Sequence, residues 1–312
     1  MAHETKACVR RSAVRKPSPV MLREEKTAYM FLTPSIIGTL VFVMIPIVVS
    51  LLLGFVNWNP MKSISDISFS GLENFKKILH DERVLTAILN NLKYTVFYVP
   101  ITIALALLLA ALLNKLVFGK VPLRMMVFMP YISSMVSVAV VWMILFYPNA
   151  TGPINSILTN IFHIANPPKW FTSSEYAMFG IIAMSVWHDM GYYTIIILAN
   201  MQSLNAEVYE SAAIDGANRL QTFFRITIPM LKSTLFFCLT LATINSFKVF
   251  DQINVITQGG PRYSTTVLVQ AIYYYAFQEY KFGYASAIAV VLFAIVFLVT
   301  LLQRRLERRI SD

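Results

Sequence analysis

Asp189, Lys248 and Asp251 are ionisable side chains set inside long apolar stretches of this 312-residue chain, whereas Lys93 sits near the end of a stretch and can reach the interface. A charge in such surroundings is costly unless it faces a water-filled cavity or a partner, so each marks a place for polar chemistry within an apolar layer. Asn245, Lys248 and Gln252 are spaced three and four apart, which predicts one polar face on a helix. Asp189 and Tyr192 are likewise three apart, with Trp187 and Tyr193 beside them. A hydroxyl-rich ligand would suit such a set, because it needs several donors and acceptors for orientation and aromatic faces for its C–H patches. The same residues also fit an intrahelical Lys248–Asp251 pair, or polar contacts between helices, and both readings stay open.

Bond-making chemistry is not indicated. No phosphate-cradling G-x-x-x-x-G-K-[ST] run occurs, and the four histidines are dispersed, at His3, His80, His163 and His188. The expectation is a chain with no catalytic residue, cofactor or metal of its own, so any uphill work must be driven by another chain or by an ion gradient.

The elements that position these groups follow from composition. Charged residues make up 13% of the chain and hydrophobic ones 57%, against about 25% charge in a soluble domain. Six apolar stretches are long enough to cross a bilayer as helices: Tyr29–Phe55, Leu92–Leu113, Met125–Tyr147, Tyr176–Ala199, Lys232–Ile256 and Tyr284–Leu302. Period-two strands of a closed barrel are not seen in these runs. The fold class is therefore an all-α polytopic membrane protein with six transmembrane helices, and Pro34, Pro46, Pro100 and Pro130 are expected to bend them.

The formal charge of +10 is concentrated in short connections, which points to membrane topology rather than nucleic acid. Basic residues cluster in the amino-terminal tail, at Lys115, Lys120 and Arg124, at Arg219, Arg225 and Lys232, and at Arg304, Arg305, Arg308 and Arg309. All of these segments fall on one side of a six-span chain, so both termini are expected in the cytoplasm. The first stretch is longer than a secretory signal core and reads as an uncleaved span. Cys8 and Cys238, one in a basic tail and one in an apolar run, do not read as a disulfide. The organisation read from this is a basic tail at 1–28, a six-span domain at 29–303 and a short tail at 304–312.

On the far side, GLENFKKIL predicts an amphipathic helix with Leu72, Phe75, Ile78 and Leu79 on one face. The third connection reads as a turn, a short helix and a proline-rich loop. The segment 200–231 is too polar to span and too regular to be a linker. Glu207 to Ile214 favours helix, Ala212 and Ala213 permit close approach of another surface, and Gly216 offers a turn. Asn218 to Ile228 gives a second helix, ended by Pro229. Phe223 and Phe224 supply apolar bulk, and Glu210, Asp215 and Arg225 supply charge. This is a compact cytoplasmic hairpin, either resting at the interface or docking in a partner's groove.

The run YESAAIDGANRLQTFFRITIP resembles the EAA loop of binding-protein-dependent ABC import permeases, which reads Glu-Ala-Ala, three residues, Gly, nine residues, then Ile-x-Leu-Pro. Glu210, Ala212, Gly216, Ile226 and Pro229 match in register, while Ser211 replaces the first alanine and Ile228 the leucine. GLENF, MPYISS, GPIN, SFKVFDQINVITQGGP and FGYASAIAVVLF resemble the sugar-importing branch, in its shorter form without the large periplasmic domain of the maltose permease.

The resemblance implies a type I ABC importer permease fold with cytoplasmic EAA coupling helices that dock into a cleft of the ATPase, with Glu210 and Gly216 as the carried-over contacts in a coupling set that includes Ser211, Ala212, Asp215, Ile226 and Pro229. It implies as partners a second homologous permease, an ABC ATPase dimer that uses ATP and Mg, an extracytoplasmic solute-binding protein and a sugar. It places sugar contacts around Asp189 to Tyr192 and at Asn245, Ser246 and Lys248, and a receptor-side loop at Gly259, Gly260 and Pro261, which otherwise reads as a tight turn. Permeases for glycerol phosphate, polyols or other solutes share the pattern, and a gradient-driven carrier or a membrane scaffold are rivals from other classes.

Overall fold

A computed structural model describes residues 19–61, 67–115, 119–149 and 151–311. Cys8 and the basic residues from Lys6 to Lys16 lie outside the described residues. The chain divides into two units, Met1–Ser50 and Leu51–Asp312.

The described part of the first unit is helical. Helix α1 covers Pro19–Thr39, so it begins inside the segment read as a tail, and it passes through Pro34 without ending. A five-residue π turn, Leu40–Met44, follows and leads into α2, Ile45–Leu53. Pro46 has no N–H, and the rewound turn lies directly before it, with the Ile45 N–H reaching back to the Leu40 carbonyl. Apolar side chains such as Phe31 and Phe42 are exposed, as a lipid-facing helix requires.

The second unit opens with a small antiparallel pair, β1 Val56–Asn57 with β2 Ser68–Phe69. Helix α3, Glu73–Ile78, holds this pair down. The buried Asn74 amide donates to the Gly54 and Val56 carbonyls and to Ser70 Oγ. Its inward face is Asn74, Phe75 and Ile78, whereas Leu72 and Leu79 point outward, which corrects the predicted apolar stripe. Helix α4, Glu82–Lys115, runs unbroken through Pro100 for about 50 Å at ~1.5 Å per residue.

The predicted third span is broken. It forms α5, Lys120–Ile132, and α6, Met135–Leu145, bent by 95°. Ser133 and Ser134 adopt extended conformations between them (ψ 144° and 128°), and Ser133 Oγ donates to the Met129 carbonyl. A serine that satisfies the preceding turn with its own side chain lets the helix stop without glycine. The connection that follows contains α7, Pro153–Asn160, and a 3₁₀ turn at Trp170–Thr172, close to expectation.

Helix α8, Ala177–Gln202, is the axis of this unit and the most buried of its spans. Met178, Ile181, Ile197 and Leu198 on α8 pack in one core with Tyr94, Tyr98, Ala106 and Ala110 of α4. The small residues on α4 allow the two helices to approach closely. Short helices α9 Ala206–Ile214, α10 Arg219–Thr222 and α11 Ile228–Met230 lead to α12, Lys232–Phe247. The fifth span breaks at Lys248–Phe250 and resumes as α13, Asp251–Ile256. Helix α14, Leu268–Tyr273, a π turn at Tyr274–Gln278 and α15, Phe282–Ser311, complete the chain. The helix α15 continues through the segment read as a carboxyl tail.

Among the described residues five helices are long and apolar enough to cross a membrane, and the bent α5–α6 pair brings the number to six if it counts as one span. Their outer faces carry Leu92, Leu108, Met125, Phe293 and Phe297 bare. A soluble protein rarely exposes so large an apolar patch, whereas a bilayer covers it.

Gly191 marks a close crossing of α8 and α5. A Cβ there would land on the Val127 carbonyl of α5. Gly191→Ala should lower the melting temperature of the purified chain, since overpacking costs about 1–3 kcal/mol. Gly38→Ala, with no atom within 4 Å of the added carbon, should leave it level or slightly higher. Equal melting curves for both variants would contradict the crossing.

Candidate functional site

Three groups of residues were singled out by their chemistry, and the fold treats them differently. The first is the hairpin between α8 and α12. Asn205 caps α9 by accepting the Glu207 N–H at 3.0 Å. At the other end Gly216 takes φ +77°, the Ala217 N–H reaches the Ala212 carbonyl at 2.9 Å and the Gly216 N–H reaches Ala213 at 3.1 Å. This is a Schellman stop, and it needs a residue free to enter the left-handed region. Open space surrounds Gly216, so its role within this chain is conformational. Asn218 and Gln221 then form a reciprocal capping box on α10.

The second arm departs from expectation. Pro229 does not end it: a π turn at Phe223–Thr227 precedes the proline, the Ile228 N–H bonds to the Phe223 carbonyl, and the helix passes through to Met230. The same device precedes Pro46. Tyr209 Oη and Thr227 Oγ1, 3.3 Å apart, tie the two arms together. Ala212 is buried against its own chain rather than offered to a partner, while Ala213 is exposed.

Glu210, Ser211 and Asp215 are exposed, Ile226 is half-buried and Pro229 exposed. The apolar apex is Ile214 (86% exposed), Leu220 (70%) and Phe224 (62%), with Phe223 turned partly inward against Phe224. Ile214 and Leu220 were not singled out from the sequence. Their position on either side of the glycine stop was the signal. The root of the hairpin is firm: Leu231 is fully buried where α11 meets α12. A hollow of about 510 Å³, lined by Ala199, Asn200, Ser203 and Phe237 among others, sits between the ends of α8 and α12.

The second group is a polar seam within the spans. Asp189 is not free. Its Oδ2 accepts from Tyr98 Oη at 2.6 Å and its Oδ1 lies 2.6 Å from His188 Nδ1. His188 Nε2 in turn reaches the Ser133 carbonyl at 3.2 Å. Asn245 Nδ2 donates to Tyr193 Oη at 3.3 Å, and Gln252 Nε2 to Ser185 Oγ at 3.1 Å. Ser246 is buried and joined to Thr95 and Asn91 of α4, so it is a structural joint.

The helical face predicted from Asn245, Lys248 and Gln252 does not form, because the helix breaks at Lys248. Gln252 turns inward while Asn245, Lys248 and Asp251 stay exposed. No ion pair joins Lys248 to Asp251 among the described residues. Tyr192 stacks on Tyr131 with ring centroids 4.6 Å apart, and Trp187 lies near Trp142. Tyr131, Tyr98 and His188 are members of this seam that the sequence reading passed over.

The third group, Gly259, Gly260 and Pro261, is a built turn. Gly259 has φ +87°, and an added Cβ would meet Thr266 Oγ1 and the Gln270 amide. Thr266 and Thr265 donate to the carbonyls of Gly259 and Gly260, and Asn90 of α4 donates to Tyr263 and Thr266. Arg83 lies over the rings of Tyr263 and Tyr274. A larger cleft, about 1010 Å³, opens between β1, α3 and α15 rather than at the seam. Beside it Asp81 accepts from Tyr275 and Tyr284 at 2.6 and 2.7 Å. Burial and the carboxylate push the Tyr275 hydroxyl well up from its ordinary value.

The chain is 33% identical over 279 residues to the probable ABC transporter permease protein YurN of Bacillus subtilis, covering 89% of this chain and 94% of that one. It is 31% identical over 281 residues to the arabinooligosaccharides transport system permease protein AraP of the same organism, covering 89% and 88%. Its fold superposes with a TM-score of 0.80, at 25% identity and 93% and 98% coverage, on a chain in the crystal structure of a bacterial ABC transporter that imports the acidic polysaccharide alginate. Residues 102–312 match the model of one family, whose description is the binding-protein-dependent transport system inner membrane component. With spans, hairpin and seam in place, the chain belongs to this family of inner-membrane transport components.

Proposed function

We propose that this multi-pass membrane chain is one permease of an ATP-driven importer for oligosaccharides. In this reading an extracytoplasmic solute-binding protein delivers the sugar, a second homologous permease completes the pathway, and an ABC ATPase dimer uses ATP and Mg to drive the cycle. Both termini and the 200–231 hairpin face the cytoplasm, in keeping with the distribution of basic residues. The alginate importer and the arabinooligosaccharide permease support the sugar class.

The observation that supports this most is the hairpin. It is capped at each helix end, rooted through Leu231 and tipped with Ile214, Leu220 and Phe224. Exposed apolar side chains on a rigid element suit burial in a partner's groove, and a rigid root transmits the partner's motion to α8 and α12. Those two helices hold the seam with Asp189 and Asn245, so movement of the hairpin changes access to it. Nothing in this subunit has to make or break a bond. Asn245, Lys248 and Asp251 are exposed on a single chain, which supports a pathway closed by the second permease.

Phe224→Ala or Leu220→Asp should weaken association with the ATPase about tenfold or more, as expected for an apolar anchor, while Ser211→Ala should not. Co-purification of the assembled complex measures this, and retained association in both anchor variants would contradict docking at the apex. Lys248→Gln should alter the sugar concentration needed for half-maximal uptake while leaving ATPase association intact. Unchanged uptake kinetics in that variant would remove Lys248 from the pathway.

A further inference from the structure

The break between α5 and α6 raises the question of what holds it. Within an apolar layer a carbonyl released from a helix needs a donor, because lipid offers none. Among the described residues the donor to the Ser133 carbonyl is His188 Nε2, at 3.2 Å. The ring's other nitrogen lies 2.6 Å from Asp189 Oδ1, and Tyr98 fixes that carboxyl group from α4 through Oδ2. Both nitrogens therefore face oxygen acceptors. Histidine and aspartate together must hold a proton between them for both contacts to be hydrogen bonds. A continuous chain of contacts runs from Tyr98 on α4 through Asp189 and His188 on α8 to the break.

What the break positions is the aromatic pair. Tyr131 lies two residues before Ser133, and Tyr192 lies one turn beyond His188 on α8. Their rings stack at 4.6 Å, and Tyr131 is 5.8 Å from the His188 ring. The α5 backbone is held at a second point, where Val127 rests on Gly191. With Val127 and Ser133 both fixed to α8, Tyr131 between them has little freedom.

We infer that His188 is a positioning residue for transport: it clamps the α5–α6 break to α8 through the Ser133 carbonyl and so sets the Tyr131–Tyr192 stack that faces the sugar. The clamp follows from the contacts above. The part given to the stack rests on the sugar-import reading.

The test uses the complete importer, reconstituted with its partners, with Cys8 and Cys238 replaced and a nitroxide on Ser134→Cys. His188→Phe keeps a ring of similar bulk and removes both hydrogen-bonding nitrogens. It should speed motion of the label by at least about twofold, with ATPase association unchanged. Asp189→Asn can donate to Nδ1, accept from Tyr98 and leave Nε2–H on Ser133, so label motion should stay as in the parent. If His188→Phe fails to assemble, Tyr98→Phe loosens the same chain from its other end and should speed the label. Label motion unaltered by His188→Phe, or by Tyr98→Phe where that variant is used, overturns the clamp. Fast motion in Asp189→Asn also overturns it, since a bare ion pair would then be the essential feature. Faster motion with a several-fold higher half-saturating sugar concentration supports the whole inference. Faster motion with unchanged sugar dependence leaves the clamp standing and contradicts the role of the stack in sugar import.

Discussion

Backbone polar groups inside an apolar layer must find partners within the protein, and this constraint shapes the break between α5 and α6. Where the spans run unbroken, as in α4, the helix supplies its own partners at every residue but Pro100, which has no N–H to give. At the break after α5, and in the connection between the fifth and sixth spans, side chains take over. His188 serves the Ser133–Ser134 break, Asn91 accepts the Leu268 N–H at the start of α14, and Asn90 holds the turn after Gly259. The polar residues of the interior are spent first on these joints. Those left exposed, Asn245, Lys248 and Asp251, are the ones available to a solute or a second subunit.

The same economy explains the hairpin. Its helices are too short to be stable by length alone, yet each end is closed by a specific device: an Asn cap, a glycine stop, a capping box and a π turn before proline. These fix the backbone without using the apolar side chains, which stay at the apex. Rigidity at the root and bare apolar surface at the tip are what a mechanical connection to another protein needs. Burial of Ala212 in its own chain shows that a small residue in a docking motif can serve internal packing rather than the partner.

Much of this was legible in the sequence, and the pattern of what was not is instructive. Long apolar runs announced the spans because lipid demands them, and Gly216 announced the turn because few residues tolerate positive φ. Pro130 marked the third span for a bend, but the positions of the breaks were hidden. Neither Ser133–Ser134 nor Lys248–Phe250 contains glycine or proline, and hydropathy does not register a 95° bend between two apolar helices. The face drawn through Asn245, Lys248 and Gln252 failed for that reason, since helical periodicity means nothing across a break. His188 was passed over as one of four scattered histidines, although a histidine next to an aspartate in an apolar span is itself a sign that both are engaged. Asp189 was read as a candidate sugar contact, and the fold places it between Tyr98 and His188.

The central claim is that this chain moves sugar only when a separate ATPase drives it through the hairpin. Liposomes holding the chain with its second permease and ATPase, receptor and labelled oligosaccharide outside and ATP with Mg inside, test it directly. Accumulation that requires internal ATP and the external receptor, and persists when proton and sodium gradients are collapsed, is the predicted result. Accumulation driven by such a gradient in liposomes lacking the ATPase would contradict it.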